Sequence, residues 1–227
     1  MNDGRAQSTV PAAGSRRRFW MATLFIVGSA LFALGALPPY SEAAGLRATS
    51  LTFFVGSLFF TGAGFLQYRE AVDGLSAGSS GGRKFWVWAP KDMDWLATAV
   101  QLAGTLWFNW STGNALRHNL SAEVADQRVW RPDTLGSAAF LVASGIAWRV
   151  AMRDRSTDGR RTRDWWIAAL NLLGSVAFGV SAAAAYVIHS ADDVWRAELS
   201  NLGTLVGALC FLAGAILLLP RPAHVEG

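Results

Sequence analysis

The sequence predicts an all-α fold: a polytopic membrane protein of six transmembrane helices arranged as three repeated helical hairpins. Three observations carry that prediction. Hydrophobic residues make up 52% of the 227 and charged residues only 16%, and the charges gather between long apolar runs. Six such runs are long enough to cross a hydrocarbon core of ~30 Å, which takes about 20 residues at ~1.5 Å rise. Each run also carries one copy of a short pattern: Gly, a small residue, two free positions, then Phe.

The copies are Gly28-Ser29-x-x-Phe32, Gly56-Ser57-x-x-Phe60, Gly104-Thr105-x-x-Phe108, Gly136-Ser137-x-x-Phe140, Gly174-Ser175-x-x-Phe178 and Gly207-Ala208-x-x-Phe211. The spans fall at 19–37, 50–67, 95–112, 134–152, 165–188 and 199–219, and none has Asp, Glu or Lys in its middle.

Taken in order, residues 1–15 are small and polar and read as a disordered cytoplasmic tail. Hairpin one, 16–70, opens on Arg16-Arg17-Arg18 and Phe19-Trp20. This stretch has the look of a twin-arginine export signal, with Ser41-Glu42-Ala43-Ala44 as a cleavage site. The run nevertheless carries the first copy of the pattern, so it is read as a retained span. The linker 71–93 holds a flexible Gly- and Ser-rich stretch from Gly74 to Gly82. It then turns aromatic at Phe85-Trp86-Val87-Trp88, which is expected to lie along the membrane interface.

Hairpin two, 94–152, opens on Asp94-Trp95 and ends near Arg149, which can snorkel to the interface. A charged linker, 153–163, leads to hairpin three, 164–220, which opens on Asp164-Trp165, and 221–227 form a cytoplasmic tail. Of the 11 Trp residues, Trp20, Trp95, Trp130, Trp165, Trp166 and Trp195 lie at span ends, as an interfacial belt requires.

Charge sets the orientation. The chain has 20 Lys and Arg against 16 Asp and Glu, a balance that invites a nucleic-acid reading. Position argues otherwise. Only Arg47, Arg117, Arg128, Arg131 and Arg196 fall in the loops opposite the termini. The positive-inside rule therefore places both termini in the cytoplasm of a cell that carries this protein in its plasma membrane. The basic excess is a topology signal that also favours contact with anionic lipid.

The hairpins match beyond the pattern. Gln101 and Asn171 both stand three residues before the motif Gly, where hairpin one has Phe25. The second and third outer loops share Val129-Trp130-Arg131 and Val194-Trp195-Arg196. A repeat period of about 70–76 residues, from Gly28 to Gly104 to Gly174, precedes any other assignment because it dictates architecture.

Gly and Phe four apart share one helix face. A helical side chain leans toward its own N-terminus, so the Phe ring reaches back over the turn that holds the Gly. The pattern thus predicts a notch that admits a neighbouring helix. In lipid, such close packing at small residues replaces the hydrophobic drive for association. All six notches are expected in the midplane or outer half, with Gly203 and Gly207 adding a Gly-x-x-x-Gly seam.

At these residues the chain resembles the YrhK-type membrane domain of bacteria. The C-terminal hairpin carries it best, from Asp164-Trp165-Trp166 through Asn171-Leu172-Leu173-Gly174-Ser175 and Gly207-Ala208-Leu209-Cys210-Phe211 to Leu217-Leu218-Leu219-Pro220. The resemblance implies an integral membrane protein of uncharacterised activity and assigns no catalytic residue.

A search for chemistry finds little. His118, His189 and His224 show no metal-ligand spacing. There is no nucleophile elbow and no phosphate-binding loop. The single cysteine, Cys210, can form no intrachain disulfide and reads as packing. The intramembrane polar residues Gln101, Asn109, Asn171 and Asn201 remain, and Gln101 with Asn171 form the candidate polar site.

The expectation is a structural or interaction membrane protein without catalysis and with no cofactor, catalytic residue or metal. Its partners would be membrane lipids, a second copy or another membrane protein, and no nucleic acid. The alternative is a small-solute or ion transporter or channel with a site between the repeats.

Overall fold

A computed structural model describes residues 12–76, 84–153, 162–188, 193–194 and 196–220. The described chain is helical apart from its turns and a two-residue ladder. The helices are α1 (Ala12–Gly35), α2 (Pro38–Ser76), α3 (Met93–Ala115), the short α4 (Ala122–Ala125), α5 (Arg131–Arg153), α6 (Arg163–Ala184) and α7 (Ala197–Leu218). A π-turn over Asp126–Trp130 joins α4 to α5 without a break. Val187–Ile188 (β1) and Asp193–Val194 (β2) pair antiparallel.

Local chemistry explains the starts. Asp92 accepts the Trp95 backbone N–H at 2.8 Å and caps α3, and Thr162 accepts that of Trp165 at 3.2 Å and caps α6. Pro38 and Pro39 stand in the first turn of α2, where a missing N–H costs nothing. Gly45 sits at φ 79°, a left-handed conformation that side chains disfavour, and it kinks α2 between 38–44 and 46–76.

Five of the long helices are apolar enough to cross a membrane: α1, α2, the α4–α5 unit, α6 and α7. The sixth, α3, is 23 residues long but carries Asp94, Gln101 and Asn109, which lower its hydropathy. The helices close into a ring. α1 pairs with α2, α3 with α5 and α6 with α7, while α2 packs on α3, α5 on α6 and α7 on α1. The outside of the ring is apolar, with Leu58, Leu106, Trp107, Val142, Leu173 and Leu209 exposed.

Several elements depart from the sequence expectation. α2 does not stop near Tyr68 but runs on to Ser76. Burial of Tyr68 and Val72 against Trp95 extends it, as does the Arg69–Asp73 ion pair one turn apart at 3.0 Å. Asp73 also receives Arg17 of α1 at 2.6 Å, and Glu70 receives Arg18 at 2.9 Å. The base of hairpin one is therefore clamped by charge. The stretch around Trp130, expected as loop, is helical, and α6 ends at Ala184 rather than at 188.

The aromatic linker folds back on the bundle. Trp86 meets Tyr68 at 5.4 Å, Trp88 meets Trp95 at 5.4 Å, and Arg69 lies over the Phe85 ring. The bulk of the N-terminal tail, most of the Gly- and Ser-rich linker, most of the charged linker, Trp195, His189 and the C-terminal tail with His224 lie outside the described residues.

The motif glycines sit where helices touch. A methyl group built on Gly28 would lie 2.8 Å from the Phe60 ring and 3.1 Å from the Gly56 carbonyl. One on Gly56 would meet Phe32 at 2.9 Å, and one on Gly104 would meet Phe140 at 2.8 Å. On Gly136 it would meet the Gly104 carbonyl at 3.1 Å and Phe108 at 3.3 Å. Gly174 and Gly207 each face the other's carbonyl at 3.0 Å, with Phe211 and Phe178 at 3.1 Å. Each notch thus receives the Phe of the paired helix rather than its own. Gly203 is as tight: a methyl there would lie 2.8 Å from the Ala177 carbonyl oxygen.

Two predictions follow from these contacts. Gly174→Ala is expected to cost about 1–3 kcal/mol by overpacking, read as a lower melting temperature in detergent. Gly179→Ala, five residues on and with open space at that position, should leave it unchanged or raised. Asp73→Asn removes the carboxylate shared by Arg17 and Arg69 and should cost about 1 kcal/mol. Added salt should narrow the gap between Asp73→Asn and the parent protein in the same melting assay.

Candidate functional site: an aromatic prism beneath a hydroxyl-lined cavity

The six motif Phe side chains meet on the axis of the ring. Phe32, Phe108 and Phe178, from the first helix of each pair, form one triangle with centroid separations of 6.4, 5.9 and 6.0 Å. Phe60, Phe140 and Phe211, from the second helices, form another at 6.2, 5.9 and 5.7 Å. Each ring also touches its hairpin partner: Phe32 with Phe60 at 5.5 Å, Phe108 with Phe140 at 5.2 Å, Phe178 with Phe211 at 5.5 Å. These are the nine edges of a triangular prism. All six side chains are buried. Most contacts are edge-to-face, the geometry that aligns a ring's positive rim with a negative face, worth about 0.5–1.5 kcal/mol per pair beyond burial.

The residue after each motif Gly is buried too: Ser29, Ser57, Thr105, Ser137, Ser175 and Ala208. The Thr105 hydroxyl bonds within its own helix, to the Leu102 carbonyl at 2.7 Å, but two of the others also reach the next hairpin. The Ser57 hydroxyl bonds that of Thr112 at 3.0 Å, joining α2 to α3. The Ser175 hydroxyl bonds that of Ser144 at 2.7 Å, joining α6 to α5. Gly and Phe therefore close each hairpin, while Ser57 and Ser175 also join neighbouring hairpins.

The prism leaves little free space. A void of about 10 Å³ among Phe32, Ser57, Phe60, Phe108, Phe140 and Phe178 is no larger than one water needs, and its lining is almost wholly apolar. On the side facing the turns of the hairpins, a cavity of about 390 Å³ opens. Its floor is the Phe32, Phe108 and Phe178 triangle, and Phe53 and Trp130 add aromatic wall.

The remaining walls are polar. Thr112 and Ser111 come from α3, and Ser111 donates to the Val129 carbonyl at 2.9 Å. From α6 and α7 come Ser181, Ser200 and Thr204, with Ser181 Oγ 2.7 Å from both the Ser200 carbonyl oxygen and Thr204 Oγ1. The indole N–H of Trp130 donates to the Ala182 carbonyl at 2.8 Å and fixes the ring. Asn201 is exposed and lines the wall, so the cavity reaches the surface. The volume lies within the range of small-ligand pockets, about 300–1,000 Å³.

Asp133 lines this cavity, half-buried. Among the described residues its carboxylate has no hydrogen bond and no ion pair. Its neighbour Arg131 is committed to the buried Asp126, at 2.8 and 2.9 Å. A carboxylate thus lies within the helical bundle, where the sequence reading had placed none. The shift has a plain cause. With the 129–131 stretch helical, the helix begins before residue 134, and Asp133 lies inside it. A sequence signal was available: Pro132 and Asp133 next to each other mark the first turn of a helix.

The candidate polar pair behaves differently from its repeat equivalence. Asn171 Oδ1 would lie 3.1 Å from a methyl on Gly214 of α7. Gln101 stands on α3, which packs on α2 and α5. No hydrogen bond joins the two, and neither lines the cavity. Asn109 instead donates to Thr61 on α2 at 2.8 Å. His118 is exposed, and Cys210 is half-buried with a free thiol. No cluster of three or more metal-ligating side chains occurs among the described residues.

Comparison with protein-family models, with curated proteins and with solved structures finds no match to this chain.

Proposed function

We propose that this protein is a six-span protein of the cell membrane with a structural or interaction role and no catalysis, built from three copies of one hairpin unit. The observation that carries the reading is the aromatic prism. Every long helix contributes one ring to it and one glycine notch beside it, so the repeated pattern is accounted for by packing alone. The same equal contribution supports the three-hairpin repeat and the resemblance of the C-terminal hairpin to the YrhK-type domain.

Membrane residence draws on the apolar exterior. α3 fits the sixth span despite its lower hydropathy, because Leu106, Trp107 and Trp110 are exposed on its outer side and its polar Asn109 turns to Thr61. Arg17, Arg18, Arg69, Arg149, Arg153 and Arg163 gather at the end that holds the termini, which favours a cytoplasmic placement of both. The cavity then faces outward. Lipids are the first partners, and a second copy or another membrane protein would meet the same apolar faces.

A transporter or gated channel is the second reading. It is favoured by one observation: the cavity ends on the prism, so displaced rings would extend the path inward. Liposome flux separates the two. Purified protein is expected to pass no ions or small metabolites above protein-free vesicles. Flux in the parent protein that is lost in Gln101→Leu with Asn171→Leu, or raised in Phe108→Ala, would overturn the structural reading in favour of transport.

A further inference from the structure

We propose that the outward cavity is a binding site for a small organic cation, an amine or quaternary ammonium with a short polar arm, held by Asp133 over the aromatic floor. The proposal goes beyond the structural reading and does not require conduction.

Three features of the cavity point to one ligand chemistry. The first is charge. Among the described residues Asp133 is the single ionisable side chain in the lining, and Arg131, the nearest cation in sequence, is held by Asp126. This half-buried carboxylate faces a cavity open to the surface with no partner among the described residues, and a positive ligand entering there supplies the opposite charge. The second is the aromatic surface. Phe32, Phe53, Phe108, Phe178 and Trp130 surround the same space, and ring faces attract cations that have shed water. Trp130 is locked by its bond to Ala182, so its face needs no reordering on binding.

The third is size and donor type. A bare metal ion wants about six or more close oxygen ligands. One carboxylate and hydroxyls spread around about 390 Å³ do not make that shell. An alkylammonium fills the space, places its charge by Asp133, lays its methyl groups on the rings and offers a hydroxyl to Ser181, Ser200 and Thr204. Neutral apolar ligands would leave the carboxylate unpaired, and anions would be repelled by it.

The test uses choline and neohexanol, its uncharged carbon isostere, titrated calorimetrically into the full-length protein in nanodiscs. Choline is expected to bind at least about tenfold more tightly than neohexanol. Asp133→Asn should weaken choline by about tenfold or more and leave neohexanol unchanged, while Asp133→Glu should retain most choline binding. Because Asp133 has no partner to lose among the described residues, Asp133→Asn should keep or raise the melting temperature of the ligand-free protein, which separates a lost site from a lost fold. Choline should raise the melting temperature of the parent protein and of Asp133→Glu, and raise that of Asp133→Asn less at the same concentration. Equal binding of choline and neohexanol, choline binding indifferent to Asp133→Asn, or no choline binding by the folded parent protein would overturn the proposal.

Discussion

The helices of this bundle are apolar on the outside as well as at their contacts, so hiding apolar surface does little to choose their packing, and the bundle depends on how closely backbones can approach. Here that approach is set by the reciprocal fit of a Phe ring into the glycine notch of the paired helix. The fit works in both directions in every pair: Gly28 takes Phe60 while Gly56 takes Phe32, and the same exchange joins α3 to α5 and α6 to α7. A single added methyl would meet ring or carbonyl atoms at 2.8 to 3.1 Å at all six of these glycines, so ring or backbone must move to admit it. With the glycines in place, the rings are pushed past the helix interface to the common axis, where they meet one another.

That placement orders the rest of the molecule. With Phe rings on the axis, two of the neighbouring small residues reach the next hairpin, where Ser57 finds Thr112 and Ser175 finds Ser144. In those two copies, closing a hairpin and joining hairpins are divided between adjacent residues of one motif. The cavity is a by-product of the same geometry. The prism fills the middle of the ring, and toward the turns the axis is lined by short Ser, Thr and Ala side chains that cannot fill it.

Much of this was legible in the sequence, and the part that was not has identifiable causes. Hydropathy and the Gly-small-x-x-Phe spacing locate the long helices and place Gly and Phe on one face, because a helix fixes what lies four residues apart. They do not say whether a ring covers its own notch or its partner's, since that depends on how two helices are offset. The ends were harder. α2 continues beyond Tyr68 because Asp73 answers Arg17, a residue 56 positions away in the chain. Asp133 falls just outside the span expected over 134–152, whereas a π-turn, which has no clear sequence signature, carries the helix on through Trp130 and takes Asp133 inside it. Gln101 and Asn171 share a repeat position but sit on helices with different neighbours, which repeat logic alone does not foresee.

The reciprocal notches also bear on the order in which the chain assembles. Every glycine–ring contact at a motif notch lies inside one helical pair, between segments that follow each other directly along the chain. A pair can therefore zip as soon as its second helix has formed, without waiting for later segments. The triangles of the prism cannot form until all three pairs are present. Assembly then divides into three early local steps and one late cooperative step. A defect in a glycine would stall its own pair, whereas a defect confined to a triangle contact would leave three sound pairs that fail to lock together.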